Sequence, residues 1–359
     1  MSFNYYLLKF FRILLFPFSL IYGLIVTIRN FLFDKKLLRS ASFNIPVIGI
    51  GNLSVGGTGK TPMVEYIIKL LKSTYQVATL SRGYKRKTKG YVLAHPGTTE
   101  SEIGDEPMQF HLKFPEVTVA VGEERIVAMP RLLRDRPQTD IVILDDSFQH
   151  RWIKPGLNIL LTDYSHLFTK DFFLPTGNLR DQKSSYKRAD VIIVTKCRDG
   201  IVEEEADKIG KEINLLPHQQ IFFTSIQYGQ PYHIKNKEPC AVSSDDEVLL
   251  VTGIANPEPL KKYLAQKVRR YYHQSYSDHY TFTIDDLTEI CAAFDDMDAD
   301  KKIIITTEKD AVKLLKFNDQ LMSVPLYVLP IEHRFLFGKG IQFDNVVNTF
   351  IKNYQESKN

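Results

Sequence analysis

The chain has 359 residues, 44% of them hydrophobic and 25% charged, which excludes a disordered or collagen-like polymer and leaves room for two ordinary domains. Its formal charge of +4 is too small to argue for nucleic acid, and no nucleic-acid partner is expected. The three cysteines, Cys197, Cys240 and Cys291, have neither disulfide-framework nor metal-ligand spacing, which points to a reducing compartment.

The compositional outlier comes first. Residues 13–28 carry no charge, yet the run is shorter than the roughly 20 residues that cross a bilayer. Lys9, Arg12, Ser19, Gly23, Thr27 and Asn30 fall near one line at helical spacing, a narrow polar stripe on an otherwise apolar surface. Pro17 is expected to kink or divide the helix. Lys35, Lys36 and Arg39 follow, a basic cluster suited to anionic headgroups. Residues 1–34 therefore read as an apolar helical segment lying on, or shallowly in, a membrane surface. The competing readings are a single span, a helix buried in protein, and a cleaved signal peptide, the last opposed by the lack of a small-x-small site.

Residues 46–72 organise the rest of the chain. An apolar strand, 47–50, leads into Ser54-Val55-Gly56-Gly57-Thr58-Gly59-Lys60-Thr61, and Pro62 opens an amphipathic helix. Strand, glycine-rich loop and helix in that order are the setting of a phosphate-binding P-loop. Glycines let main-chain N–H groups converge on an anion without Cβ clashes, and the helix N-terminus adds positive charge beneath it. Residues 54–61 are expected to cradle ATP, with Lys60 at the β- and γ-phosphates and the Thr61 hydroxyl at Mg²⁺. Ser54 stands where the common pattern has its first glycine. The plain alternative is a chance glycine-rich turn.

Further apolar runs at 76–80, 117–121, 141–144, 157–161 and 191–194 are mostly β-branched and continuous, as in parallel strands covered on both faces. The expected fold class is α/β, an α/β/α sandwich around a P-loop NTPase-type parallel sheet, with chemistry outside the carboxyl ends of its strands. Ser81-Arg82-Gly83-Tyr84-Lys85-Arg86 ends one strand with three cations, which suits a phosphate or acidic substrate as well as a solvated loop. Gly104-Asp105-Glu106-Pro107 is an acidic turn, readable as the N-cap of a helix over 107–113. The run 141–144 ends in Asp145-Asp146, a Walker B arrangement in which a carboxylate holds the metal. Adjacent side chains on a strand point apart, so the two aspartates need not share a role.

Residues 221–234 have strand character and 235–239 form a polar turn. The segment 226–245 thus reads as a linking β-ribbon between a first domain, 35–225, and a smaller α/β domain, 246–359. In the smaller domain strands are expected at 248–252, 268–272, 302–306 and 326–328, and helices at 257–266, 284–294 and 309–315. The tail from 331 folds back onto one domain or the other. Ser277-Asp278-His279-Tyr280 sets a histidine beside an acid, by itself more often a structural pair than a site.

Residues 54–62, 81–84, 104–107, 144–150, 174–180, 253–257, 278–279 and 307–313 follow one another in a recognisable order. In this ordered set the chain resembles the tetraacyldisaccharide 4'-kinases, the lipid A kinases of Gram-negative bacteria, from its apolar N-terminus to about residue 313. The resemblance implies two α/β/α domains joined by a β linker, working at the cytoplasmic face of the inner membrane. It implies transfer of the ATP γ-phosphoryl group to the 4'-hydroxyl of a tetraacylated glucosamine disaccharide phosphate, the lipid A disaccharide precursor. Asp105 would be the general base, assisted by His279, with Asp145 and Asp146 at Mg²⁺ and Lys60 and Thr61 on the nucleotide. Arg82, Arg180 and Asn256 become candidate substrate contacts, and Glu308 and Lys309 match further motif positions. Ser147, Asp181 and Tyr280 depart from the family pattern, which has Gly, Glu and commonly His there.

The main rival from another class is a membrane-associated ATPase switch of the partitioning type, opposed by Val55 where those proteins carry a lysine. A GTP-binding regulator reading guanine through Thr195-Lys196-Cys197-Arg198-Asp199 is opposed by the missing asparagine. A non-catalytic adaptor is opposed by the intact Lys60-Thr61 and Asp145-Asp146.

Overall fold

The computed structural model describes residues 14–317 and 320–357. In chain order the helices and strands are α1 (Phe16–Asp34), β1 (Val47–Asn52), α2 (Lys60–Leu71), β2 (Val77–Ser81), β3 (Val92–Leu93), α3 (Glu100–Ile103), α4 (Asp105–Lys113), β4 (Thr118–Val121), α5 (Arg125–Asp135), β5 (Ile141–Leu144), β6 (Leu157–Asp163), β7 (Val191–Thr195), α6 (Glu203–Ile213) and β8 (Gln220–Tyr228). Next come β9 (Tyr232–His233), β10 (Glu247–Thr252), α7 (Glu258–Ala265), β11 (Arg270–Ser275), α8 (Ile284–Asp295), β12 (Lys302–Thr307), α9 (Glu308–Leu314), β13 (Leu326–Leu329), β14 (Ile331–Phe335) and α10 (Gly340–Glu356).

Among the described residues the strands form a nine-stranded sheet, ordered β14-β8-β7-β6-β1-β5-β2-β4-β3, and a five-stranded sheet, ordered β11-β10-β12-β13-β9. Pairing is parallel except where β3, β14 and β9 join β4, β8 and β13. The β-branched runs are legible as such because both faces are covered. Ile48 and Ile50 pack against Met63, Ile67 and Leu71 of α2, while Val47 and Val142 face Ala128, Met129 and Leu132 of α5. Strand β1 lies between β6 and β5, with Gly49 opposite Leu144, so the segment after Asn52 and the segment after Leu144 emerge at one edge.

Two boundaries are corrected. Ile226 to Tyr228 is not ribbon but the end of β8, a parallel strand beside β7 whose Phe222 and Phe223 are buried in the first domain. The tail from Ile331 belongs to the first sheet rather than to the smaller domain. β14 pairs with β8, and Phe343, Val347 and Ile351 of α10 enter the same core as α2. The chain therefore crosses between the sheets twice, at Gly229-Gln230-Pro231 and at Pro330. Helices α5 and α6 are amphipathic, burying Ala128, Met129 and Leu132 of the first and Ala206, Ile209 and Ile213 of the second at helical spacing, although the first carries Pro130 in its interior and the second is rich in charge.

Leu14 is helical, Leu15 is a turn and α1 begins at Phe16, so the helical run is divided just ahead of Pro17, which lies in the first turn of α1 where its missing N–H costs little. The polar stripe faces inward. Ser19, Gly23 and Asn30 are buried against the first domain, whereas Phe18, Leu20, Ile21, Leu24 and Ile25 are each 58–60% exposed. Lys9 and Arg12 lie outside the described residues. By length and composition α1 is apolar enough to cross a membrane.

Candidate active site

The loop between β1 and α2 is shaped from its own sequence. Gly59 caps α2 at φ +83°, a left-handed conformation that disfavours any residue with a Cβ. A Cβ at Gly56 or Gly57 would meet no atom within 4 Å, so the concave side of the loop is open. The convex side is tied down. The Asn52 amide donates to Thr58 Oγ1 at 2.9 Å, Thr195 Oγ1 donates to the Thr58 carbonyl at 2.9 Å, and the Val55 N–H donates to the Asn178 carbonyl at 2.8 Å. Ser54 bridges Leu179, which draws the segment carrying Arg180 alongside.

That proximity explains the second half of the cluster. Asp146 accepts from both terminal nitrogens of Arg180, one at 3.0 Å, and lies 3.5 Å from the Lys60 ammonium. Arg180 also donates to the Asn52 side chain. Burial works against its charge, but Lys60 and Arg180 hold the Asp146 carboxyl far below the ordinary range. Asp146 adopts φ +46°, unusual for a side-chain-bearing residue. Arg125, 2% exposed, supports the turn by donating to the carbonyls of Asp145 at 2.9 Å and Asp146 at 3.2 Å. Asp145 is in the opposite situation. Burial, with Glu106 and Asp146 adding to it, pushes its carboxyl up, and its Oδ1 has no partner.

The Thr61 hydroxyl and the two carboxylates are an all-oxygen donor set, the chemistry of a hard cation such as Mg²⁺ that keeps waters and takes phosphate oxygens as well. The orphaned Asp145 oxygen fits such an ion. No group of three or more His, Cys, Asp or Glu suited to hold a metal unaided occurs among the described residues.

The remaining chemistry is drawn from both domains. Asp105 stands in the first turn of α4, after Gly104 at φ +92°, and its Oδ2 is 3.1 Å from His279 Nδ1. A carboxylate only accepts, so Nδ1 carries the proton. Lys309 donates to His279 Nε2 at 3.1 Å and to Asp278 at 2.8 Å, which holds the ring from the other side. The Tyr84 ring and the imidazole pack in a T-shaped arrangement, with centroids 5.5 Å apart. His279 has φ +61°, a strained position held by these contacts. Burial raises the Asp105 carboxyl, but His279, Lys313 and Lys309 outweigh it and leave the group below its usual value.

Below this pair the two domains are bolted by charge. Lys113 at the end of α4 bridges Glu65 of α2, at 2.7 Å, and Glu308 of α9. Glu308 also accepts from the Ile331 N–H at 3.2 Å. Glu65 is 1% exposed; burial, with Glu308 nearby, pushes its carboxyl up to about 7.

Not every expected residue joins the cluster. Asn256 is exposed and accepts from the Glu258 N–H at 3.2 Å, at the start of α7. Arg82 is exposed, and its charge acts on Arg125 and His150. The three departures have structural work. Ser147 donates to the Ile50 carbonyl, Tyr280 to Asp286, and Asp181, fully buried, joins Asn30, Ser185 and Arg188. Asn52, Arg125, Lys113 and Lys313 belong to the site without standing out in the sequence. Glu65 leaves a signal there, as the one acidic residue of a largely apolar helix.

The sequence profile of the family described as Tetraacyldisaccharide-1-P 4'-kinase matches residues 11–351. Curated relatives named Tetraacyldisaccharide 4'-kinase include one from Bacteroides thetaiotaomicron, 45% identical with 94% of this chain and 93% of the relative covered. Another, from Flavobacterium johnsoniae, is 45% identical over 95% and 97%. Among solved structures, LpxK from Aquifex aeolicus, crystallised in complex with ATP, superposes with a TM-score of 0.74 at 29% identity, covering 95% of this chain and 99% of that one. The partitioning-type ATPase is not favoured. A profile that spans both sheets, and so takes in both the loop and the Asp105–His279 pair, leaves one assignment: the chain belongs to the tetraacyldisaccharide-1-P 4'-kinase family.

Proposed function

We propose that this chain transfers the γ-phosphoryl group of ATP to the 4'-hydroxyl of a tetraacylated glucosamine disaccharide 1-phosphate, at the cytoplasmic face of the inner membrane. The observation that carries the reading is the Asp105–His279 contact, an acid–imidazole pair assembled from two domains. Its neighbour Glu106 is close enough to act on Asp145, which supports reading the pair and the P-loop as parts of one site. A sugar hydroxyl is a poor nucleophile at neutral pH, so a carboxylate within reach of its proton raises the rate.

In this mechanism the main-chain N–H groups of residues 56–60 and the Lys60 ammonium bind the triphosphate and absorb the charge that develops on the γ-phosphoryl oxygens. Thr61, Asp145 and Asp146 would hold Mg²⁺, which supplies further neutralisation of the β- and γ-phosphates when bound. Asp105, kept ionised by its cationic neighbours, takes the 4'-hydroxyl proton as that oxygen attacks the γ-phosphorus. The bond to the β,γ-bridging oxygen breaks and ADP departs. His279 holds Asp105 in place through its Nδ1–H. The outward apolar face of α1, followed by Lys35, Lys36 and Arg39, supports docking on an anionic leaflet where the acyl chains of such a substrate reside.

The test is incubation of the purified protein with γ-labelled ATP and tetraacyldisaccharide 1-phosphate in detergent micelles. Label is expected in the lipid, and is expected to vanish with Lys60→Ala. Lipid left unlabelled by a protein that binds ATP overturns the proposal.

A further inference from the structure

The loop's open side faces the ligand; its back is held by hydrogen bonds, and one comes from far along the chain. His333, 7% exposed, belongs to β14, which starts two residues after β13 leaves the second sheet. Its Nε2 is 2.8 Å from the Gly59 carbonyl and its Nδ1 is 2.9 Å from Thr224 Oγ1 on β8. A carbonyl only accepts, so Nε2 must carry the proton, and Nδ1 accepts from the threonine hydroxyl. Burial pushes the imidazole down to about 4, which keeps this neutral tautomer at physiological pH.

The peptide unit is planar and trans, so its carbonyl and N–H point in opposite directions. Pulling the Thr58 carbonyl back onto Thr195 aims the Gly59 N–H forward, and pulling the Gly59 carbonyl back onto His333 aims the Lys60 N–H forward. The Gly59 carbonyl would otherwise be served only by the Met63 N–H, at 3.2 Å. An anion cradle works through the preset direction of such N–H groups.

We propose that His333 is a positioning residue for nucleotide binding, which presents the Lys60 N–H to the triphosphate by anchoring the Gly59 carbonyl from behind. The proposal rests on the reading of residues 54–61 as a nucleotide cradle. His333 does not touch the ligand, and its effect falls on ATP rather than on the lipid.

The test compares His333→Phe, which fills the space without a donor, with His333→Gln, whose amide restores one. ATP affinity is measured by calorimetry, and KM is measured for ATP and for the lipid separately. His333→Phe is expected to weaken ATP binding about tenfold, with the lipid KM unchanged and His333→Gln within about threefold of the parent. Equal ATP affinity in all three proteins, with Lys60→Ala alone defective, overturns the proposal and leaves the cradle standing. Full ATP affinity in Lys60→Ala overturns the cradle itself. Should His333→Phe fail to fold, ¹⁵N NMR of the parent's imidazole decides. Protonated Nε2 and bare Nδ1 at neutral pH support the inference, and the reverse tautomer sinks it.

Discussion

Asp105 and His279 come from different domains, and their coupling can be put as a number. Asp105→Asn keeps the shape of the side chain and removes the proton acceptor, for an expected loss of about 10²–10⁴ in kcat, or about 3–5 kcal/mol of barrier. His279→Ala removes one hydrogen bond to a charged group, made at 3.1 Å. Such a bond contributes about 1.5–3 kcal/mol, a loss of about 10- to 100-fold. If the imidazole acts only by holding the carboxylate, the double variant has nothing left to lose. Its kcat should fall within about threefold of Asp105→Asn alone, a coupling of at least about 1 kcal/mol. The assay is the initial rate of lipid phosphorylation at saturating ATP, with ATP affinity measured alongside and expected unchanged. A double variant showing the full product of the two single losses would falsify this division of labour. The pH profile has a sign of its own. A depressed carboxyl loses its base function only as pH falls through the depressed value, so the rate should not climb with an Asp105 limb across neutrality. Lys313→Met removes a cation 3.8 Å from Asp105, so the acid limb should move to higher pH.

The charged bolt between the domains predicts a stability slope. Glu65 has a raised folded-state pKa, so its contribution is present below about pH 4.5 and is lost as pH rises through about 7. Glu65→Gln should therefore gain stability relative to the parent between those values, read from urea midpoints across pH; a flat difference would remove the bolt's electrostatic role. The two faces of α1 should respond differently. Ile25→Asp, on a side chain 60% exposed, should release the protein from anionic vesicles in flotation while ATP affinity and thermal midpoint hold. Asn30→Leu should destabilise the fold by about 1.5–3 kcal/mol, because the 2.7 Å bond to buried Asp181 is lost. Vesicle release by Asn30→Leu but not by Ile25→Asp would reverse the orientation assigned to the helix.

The legible parts of this protein are those whose causes are local. The P-loop can be read because glycine conformations and a strand-loop-helix order are written in consecutive residues, and the parallel strands because cover on both faces forces continuous β-branched runs. Asp145-Asp146 is legible as the end of such a run. The illegible parts depend on partners remote in sequence. His333 sits in an ordinary segment, and nothing near it says that the chain will leave the second sheet and pair with β8. The polar stripe of α1 can be seen at Ser19, Gly23 and Asn30, but its direction cannot, because an inward polar face requires the buried acceptor Asp181. Asn256 shows the converse. A motif position that reads as a candidate substrate contact also accepts from the Glu258 N–H at the start of a helix, a local role its sequence context does not announce.

The most direct measurement is the stoichiometry of ADP formed to phosphate found on the lipid's 4' carbon, by ³¹P–¹H correlation of the product, with and without the disaccharide. One phosphate on the 4' carbon for each ADP, with ADP formation dependent on the acceptor, is the expected result. ADP and inorganic phosphate released at the same rate without the lipid would mark a nucleotide switch instead, and would contradict the kinase.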